Sequence, residues 1–206
     1  SCSPAGGDLL FDEKLVEQGR NFCNKLWNAM RLVKGWDADE KVLPSELDLL
    51  ADEWINAKFS KLVTEVESDF KEFRLSESLI KIYTFIWDDF CSWYLEMIKP
   101  SNEIAMPLVT YQNTTNIFLK ICSLLHPFMP FITEEIWHTI KEEKDKGDCI
   151  LSMYPKAETY DVIKLNAVDH ALKVITSIRE VRSKNAMKSR DELAVFAKES
   201  DNTIAY

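Results

Sequence analysis

From about residue 12 to residue 144, apolar side chains recur every three or four positions, the spacing of one face of an α-helix. A first helix is predicted from an Asp12 N-cap to about Lys34, with Gly35 ending it. On a helical wheel Leu15, Phe22, Leu26, Ala29 and Val33 share one narrow face with Gly19 beside them, and that face is the expected core side. A loop runs through Pro44. Ser45 starts a second helix, with Glu46 and Asp48 where acids complement the helix dipole, and Leu49, Trp54, Ile55, Phe59, Leu62, Val66 and Phe70 keep the period to about Phe73. Ser76 or Ser78 restarts the chain. The stripe Leu79, Ile82, Tyr83, Ile86, Trp87, Phe90, Tyr94, Leu95 and Ile98 predicts a third helix, closed by Pro100. A fourth is expected from Ile104 or Pro107 to Leu125, and a fifth from Thr133 to about Lys144, with Pro130 near its start. Phe128, Phe131, Ile132, Ile136 and Trp137 are expected in the core, setting the last helix against the third.

Five helices of this kind predict an all-α fold, an antiparallel bundle. The tail has a different pattern. Cys149–Met153 and Leu193–Ala197 are short and apolar, as strands are, and a helical period runs from Asn166 to about Lys184. The expected organisation is therefore a connector over 1–11, the bundle over 12–147, and a small α/β appendage over 148–206 that is truncated at its end.

Composition narrows the function. The chain has 206 residues, 46% hydrophobic and 29% charged, with only 5 Gly and 7 Pro, which suits a soluble helical domain with few turns. No apolar run approaches the roughly 18–20 residues that span a bilayer, so no membrane partner is expected. The N-terminus has neither a charged n-region nor an apolar h-region and lacks an initiating Met, so it reads as the interior of a longer chain. Cys2, Cys23, Cys91, Cys122 and Cys149 are odd in number and dispersed, which predicts no disulfide framework and a reducing, cytoplasmic location. His126, His138 and His170 stand far apart, with no Cys or His neighbour at a metal-ligand spacing, so no metal site is expected. The acid pairs Asp88-Asp89 and Glu134-Glu135 point in different directions on helices, as solvated or capping residues. Glycine-rich nucleotide loops and nucleophile elbows are absent. No catalytic site and no cofactor are expected in this chain.

A net charge of −9 at first disfavours a nucleic-acid partner. The distribution changes that picture. Lys14 to Trp36 holds five basic residues against one acid, and Lys173 to Arg190 six against one, so an acidic body carries two basic segments. The face of the first helix opposite its core gathers Arg20, Asn24, Trp27, Arg31 and Lys34. Guanidinium and ammonium groups bind phosphates, amides read base edges and indoles stack on bases. Trp27 has a second reading, packing against a neighbouring helix. Trp36, just past Gly35, either folds back on the last turn or stacks on an unpaired base.

Four segments then point to a family. Gly19–Val33 (GRNFCNKLWNAMRLV) resembles the RNFxNKLWNAxRFV segment that opens the anticodon-binding domain of valyl-tRNA synthetases, with Leu32 in place of the more usual Phe. Asp89–Pro100 resembles that family's third-helix motif, His126–Trp137 its HPFMPFITEEIW motif, and Ile178–Lys184 its IRxVR helix. The matches run in order from residue 1 to about residue 200. The HIGH and KMSKS catalytic signatures are missing, and Ala186-Met187-Lys188-Ser189-Arg190 is only a chance echo of the second. The resemblance implies a bundle that holds the anticodon stem-loop of tRNA-Val for the catalytic domain of the same polypeptide, which would use ATP with Mg. It implies no adenylate formation by this chain alone. Gly35-Trp36 occupies the place of the family's Gly-aromatic pair near the anticodon. A helical interaction domain without RNA, and the equivalent domain of an isoleucyl or leucyl enzyme, are the alternatives.

Overall fold

The computed structural model describes residues 13–100, 105–141, 147–188, 191–192 and 194–195; the expected connector, residues 1–11, lies outside them. Helix α1 spans Glu13–Lys34, α2 Glu46–Lys71, α3 Leu75–Thr84, α4 Leu95–Met97, α5 Leu108–Leu125, α6 Pro130–Ile140 and α7 Val162–Lys184. The chain divides into two compact units, Ser1–Leu165 and Asn166–Tyr206.

In the first unit the helix ends follow from local chemistry. The Gly35 N–H bonds back to the Arg31 and Leu32 carbonyls, both at 3.1 Å, and closes α1. Ser45 and Asp48 form a reciprocal capping box at the start of α2: Ser45 Oγ accepts from the Asp48 N–H at 3.1 Å, and Asp48 Oδ2 from the Ser45 N–H at 2.8 Å. At the other end of α2, Phe73 takes a left-handed φ of 58°. Its N–H bonds to the Phe70 carbonyl, and the Arg74 N–H to the Asp69 carbonyl at 2.8 Å, the Schellman pattern with phenylalanine where glycine is usual. The buried Asp69 carboxylate, 1% exposed, takes Lys81 at 2.6 Å and Arg74 at 3.1 Å, so the α2–α3 turn is pinned from both flanks. That tight reversal makes α2 and α3 antiparallel.

The third helix departs from expectation. Between α3 and α4 the chain is π-helical over Phe85–Tyr94, and the Leu95 N–H reaches back five residues to the Phe90 carbonyl. Phe85, Phe90 and Leu95, spaced by five, are all buried; the wider π turn puts them in register on the core side where a 3.6-residue turn would rotate them apart. Outside bonds support this less favourable geometry. Ser92 Oγ donates to the Trp87 carbonyl at 2.7 Å, and Asp89 pairs with Lys58 at 3.2 Å.

Leu26, Val33, Trp54, Ile55, Phe59, Phe90, Tyr94 and Phe118 fill the centre. Phe90 meets Phe118 edge-on at 5.1 Å. A polar knot sits beside them. Asp52 Oδ1 accepts from the Tyr94 hydroxyl at 2.7 Å and the Asn113 amide at 2.8 Å, while Asn56 donates to Asn113 Oδ1 at 2.9 Å. Burial pushes the Asp52 carboxyl up, against the lowering effect of those donors, and nearby Asp48 pushes the same way as burial.

Two expectations about burial are corrected. Leu15 is 51% exposed, and every residue from Glu13 to Asn21 is likewise exposed, so this end of α1 lies outside the packed core. In the His126–Trp137 motif Ile136 is fully buried, but Phe131 is 89% exposed and Phe128, Ile132 and Trp137 are half-buried. Helix α6 packs on α5 and α1 rather than mainly on the third helix, so only one side of the motif faces the core. A further correction concerns Cys149–Leu151, a single 3-10 turn instead of a strand. It is seated by Glu134, whose carboxylate accepts the Cys149 N–H at 2.7 Å and the Ile150 N–H at 3.3 Å. A backbone held by a side chain in this way has no need of a strand partner.

In the second unit α7 ends in another Schellman turn, with Ala186 at φ 50° and the Met187 N–H on the Arg182 carbonyl at 3.0 Å. The Arg182 guanidinium donates to the carbonyls of Lys188 and Asp191 at 3.0 and 2.8 Å. Residues 193, 196 and 197 of the second expected strand lie outside the described residues. Among the described residues no helix is long and apolar enough to cross a membrane.

Candidate nucleic-acid interface

Helix α1 buries Phe22, Leu26, Ala29, Met30 and Val33. The opposite side follows from the same period: Arg20, Asn24, Trp27, Arg31 and Lys34 are all exposed, Trp27 by 39%. The fold brings these five together in one stripe, about 21 Å long at 1.5 Å per residue. Arg31 and Lys34 have no ion-pair partner among the described residues, and Arg20 has only a loose contact to Glu17 at 3.7 Å, with both side chains about two-thirds exposed. Lys25 behaves differently. Its ammonium lies 4.7 Å over the Trp87 ring and 3.3 Å from Ser92 Oγ, so it packs α1 on the π turn. Cys91 nearby has its thiol pushed up to about 12 by burial, with Lys25 opposing the shift.

Trp36 is half-buried, and its backbone N–H bonds to the Val33 carbonyl at 3.2 Å. The chain beyond it is anchored by a contact that no local pattern of residues signals. Strand β1 (Ala38–Asp39) pairs in parallel with β2 (Met106–Pro107), and the Met106 N–H donates to the Asp37 carbonyl at 2.8 Å. The exit of α1 is thereby fixed to the start of α5. Asp37 and Glu40 are exposed in the same loop. Carboxylates there repel phosphate, so the loop suits contact with the face of a base and not with a nucleic-acid backbone. A basic stripe with an aromatic at one end is what a stem followed by unpaired bases would need.

Residues 52–197 match the family model described as the anticodon-binding domain of tRNA ligase. The chain belongs to this anticodon-binding domain family. It is similar to the valine–tRNA ligase of Porphyromonas gingivalis, 44% identical over 196 residues. It is also similar to those of Christiangramia forsetii, 40% identical over 201 residues, and Zymomonas mobilis, 34% over 191. These alignments take in 95%, 98% and 86% of this chain, but only 22%, 23% and 21% of the relatives, so the chain spans about a fifth of their length. The matched region of the anticodon-binding domain begins within α2; α1 and its stripe precede it and are covered by the alignments to the ligases.

One cluster in this domain was not anticipated. His126 and His138, twelve positions apart, both approach the Glu134 carboxylate, His126 Nε2 at 3.9 Å from one oxygen and His138 Nε2 at 3.2 Å from the other. His138 also lies 3.1 Å from Asp148, and Cys149 adjoins the His126 side. The signal in the sequence was the Glu134-x-x-x-His138 spacing, which puts both residues on one helical face; His126 and Cys149 join only through the reversals at Pro127–Pro130 and after α6.

Proposed function

We propose that the chain is the anticodon-binding domain of a valine–tRNA ligase. It holds the anticodon stem-loop of tRNA-Val so that the acceptor end reaches the catalytic domain of the same polypeptide, in the cytoplasm. The observation that carries this reading is the exposed Arg20–Asn24–Trp27–Arg31–Lys34 stripe, continued past Gly35 by Trp36. The names of the relatives supply the amino acid. Arginines and Lys34 engage stem phosphates, where a charged donor binds whatever the base. Asn24 and Trp27 lie between them, and Trp36 stacks on a loop base. Activation of valine with ATP and Mg belongs to the catalytic domain, and this chain serves it only by placing the RNA.

The opposite end of the bundle suits that catalytic domain as a neighbour. Phe73 and Leu75 at the α2–α3 turn and Phe131 at the start of α6 are exposed there, and the Phe70–Phe128 ring contact at 6.2 Å holds the two turns to one end. Exposed aromatics gathered at one end mark a surface for another protein body.

The test is fluorescence anisotropy at low salt with labelled anticodon stem-loops of tRNA-Val and tRNA-Ile. Tighter binding of the tRNA-Val loop supports the proposal. Preference for tRNA-Ile would reassign the domain to an isoleucyl enzyme, and failure to bind either would leave a protein-interaction domain.

A further inference from the structure

We propose that His126, Glu134 and Cys149 form a binding site for one divalent transition-metal ion of the zinc class. Three parts of the first unit supply the donors. His126 caps the end of α5, Glu134 lies in the second turn of α6, and Cys149 opens the 3-10 turn. Their imidazole nitrogen, carboxylate oxygen and thiol sulfur all lie within 4.8 Å of one another. A thiolate, an imidazole and a carboxylate together select zinc-like ions over magnesium or calcium, which prefer oxygen alone.

The separation of donors is informative. His126 Nε2 stands 3.9 Å from Glu134 Oε2. That is too long for a hydrogen bond, which closes by about 3.2 Å. It is close to the sum of two metal–ligand bonds of about 2.0–2.2 Å each. A tetrahedral ion would draw the donors to about 3.3–3.6 Å apart, a contraction of about 0.3–0.6 Å for this pair and at most about 1.5 Å for the cluster.

The surroundings offer the donor atoms the partners a metal site uses. The Thr133 hydroxyl hydrogen is used on the carbonyl of Met129 at 2.9 Å or of Pro130 at 3.1 Å. The same oxygen lies 2.8 Å from His126 Nδ1 and accepts from it in the Nδ1–H tautomer. That tautomer leaves the Nε2 lone pair facing the Glu134 carboxylate, the form in which imidazole binds a metal. Glu134 Oε2 accepts the Ile150 N–H at 3.3 Å and keeps lone-pair capacity for a cation beside His126. On its other oxygen Glu134 is oriented by the Cys149 N–H at 2.7 Å and His138 Nε2 at 3.2 Å. Cys149 is 2% exposed, with its thiol pushed up to about 11, chiefly by burial and then by Glu134, and pulled down by the Ser152 and Ser123 hydroxyls. On binding, the S–H proton is released to solvent and a metal–thiolate bond takes its place, with those hydroxyls as donors to the sulfur. The ion would tie the end of α5, the middle of α6 and the 3-10 turn into one unit.

Cobalt(II) titration of the reduced, metal-stripped full chain tests this. The expected result is saturation at one equivalent, with a near-ultraviolet sulfur-to-cobalt charge-transfer band and the visible bands of a tetrahedral ion. Zinc should displace the cobalt and raise the Tm. Cys149→Ser should abolish the charge-transfer band and weaken zinc by more than about 100-fold. Thr133→Val, which keeps all three ligands, should retain the band and weaken zinc by about 10- to 100-fold, the usual effect of losing an orienting partner. His138→Gln, which removes one orienting contact on Glu134 but no ligand, should keep the charge-transfer band and weaken zinc far less than Cys149→Ser does. If Cys149→Ser is misfolded by circular dichroism, His126→Gln replaces it and should lose zinc to the same extent. Absence of saturable binding overturns the proposal, as does a charge-transfer band that survives Cys149→Ser. So does binding lost in His138→Gln but kept in Cys149→Ser, which would put the ion between Glu134, His138 and Asp148.

Discussion

Replacing Arg20, Arg31 and Lys34 together by Ala separates a phosphate-binding stripe from an ordinary solvated face. The three side chains are exposed along about 21 Å of α1, far enough apart to meet different phosphates. Each lost phosphate contact should flatten the slope of log affinity against log salt by about 0.7–0.9, so the triple variant loses about 2–3 units of slope. Between about 50 and 200 mM salt, the advantage of the wild type over the variant should shrink by roughly 20- to 40-fold on that slope. Stability should scarcely move, within about 0.5 kcal/mol, because nothing buried is removed and the Arg20–Glu17 contact is loose. Trp36→Ala is the contrasting perturbation. It should leave the slope nearly unchanged, weaken the tRNA-Val loop by about 1–3 kcal/mol and narrow its margin over a loop with another anticodon. The assay is anisotropy across a salt series, with a thermal melt of each variant as control. An unaltered slope in the triple variant would refute the phosphate assignment, whatever happens to the affinity at one salt concentration.

Three further outcomes are expected. Phe73→Gly should raise the Tm by about 2–8 °C, since a left-handed φ costs an L-residue roughly 1–2 kcal/mol and the ring is 89% exposed; a lower Tm in scanning calorimetry would mean that the ring packs on the bundle. Ile136→Ala should cost about 2–5 kcal/mol and exceed Trp137→Ala, whose indole is half-buried and donates to the Gly147 carbonyl at 3.2 Å; the reverse order in urea melts would contradict the orientation of α6. Asp52 has its carboxyl raised above the ordinary 3.8, chiefly by burial, so its contribution to stability is fully present below that value and is lost as pH rises through the folded-state value. The stability of Asp52→Asn relative to wild type should therefore grow as pH is raised from about 3 to 6, and a constant difference across that range would place Asp52 in an ordinary solvated setting.

Much of the bundle could be read from periodicity and capping. Ser45, Gly35 and the buried faces of α1 and α2 follow rules that act within one or two helical turns, and the exposed stripe of α1 follows from the same wheel as its core. Features that depend on distant neighbours were not legible. A π turn differs from an α turn by less than one residue, so the apolar positions from Ile82 to Ile98 fit both until Phe85, Phe90 and Leu95 are seen buried together. Leu15 and Phe131 are apolar at positions that fit a core face by period alone, and no local pattern reports that they are exposed. The histidine–carboxylate cluster depends on two chain reversals, which the spacing of His126, Glu134 and Cys149 does not encode. The stacking role of Trp36 rests on the loop that carries it, and that loop is shaped by Met106, far away in sequence.

The small β1–β2 pair also bears on the order of folding. Most packing here joins helices that are neighbours in the chain, and such contacts close short loops and form early. Ala38 and Met106 enclose two whole helical legs, so this pair carries one of the larger loop-closure costs in the unit. The exit of α1 should reach its final shape only when α5 docks, late in refolding. Trp36 fluorescence, isolated by replacing the other tryptophans where the fold tolerates it, should then lag behind the recovery of helical circular dichroism. Changes at Met106 that loosen the pair should speed unfolding more than they slow folding.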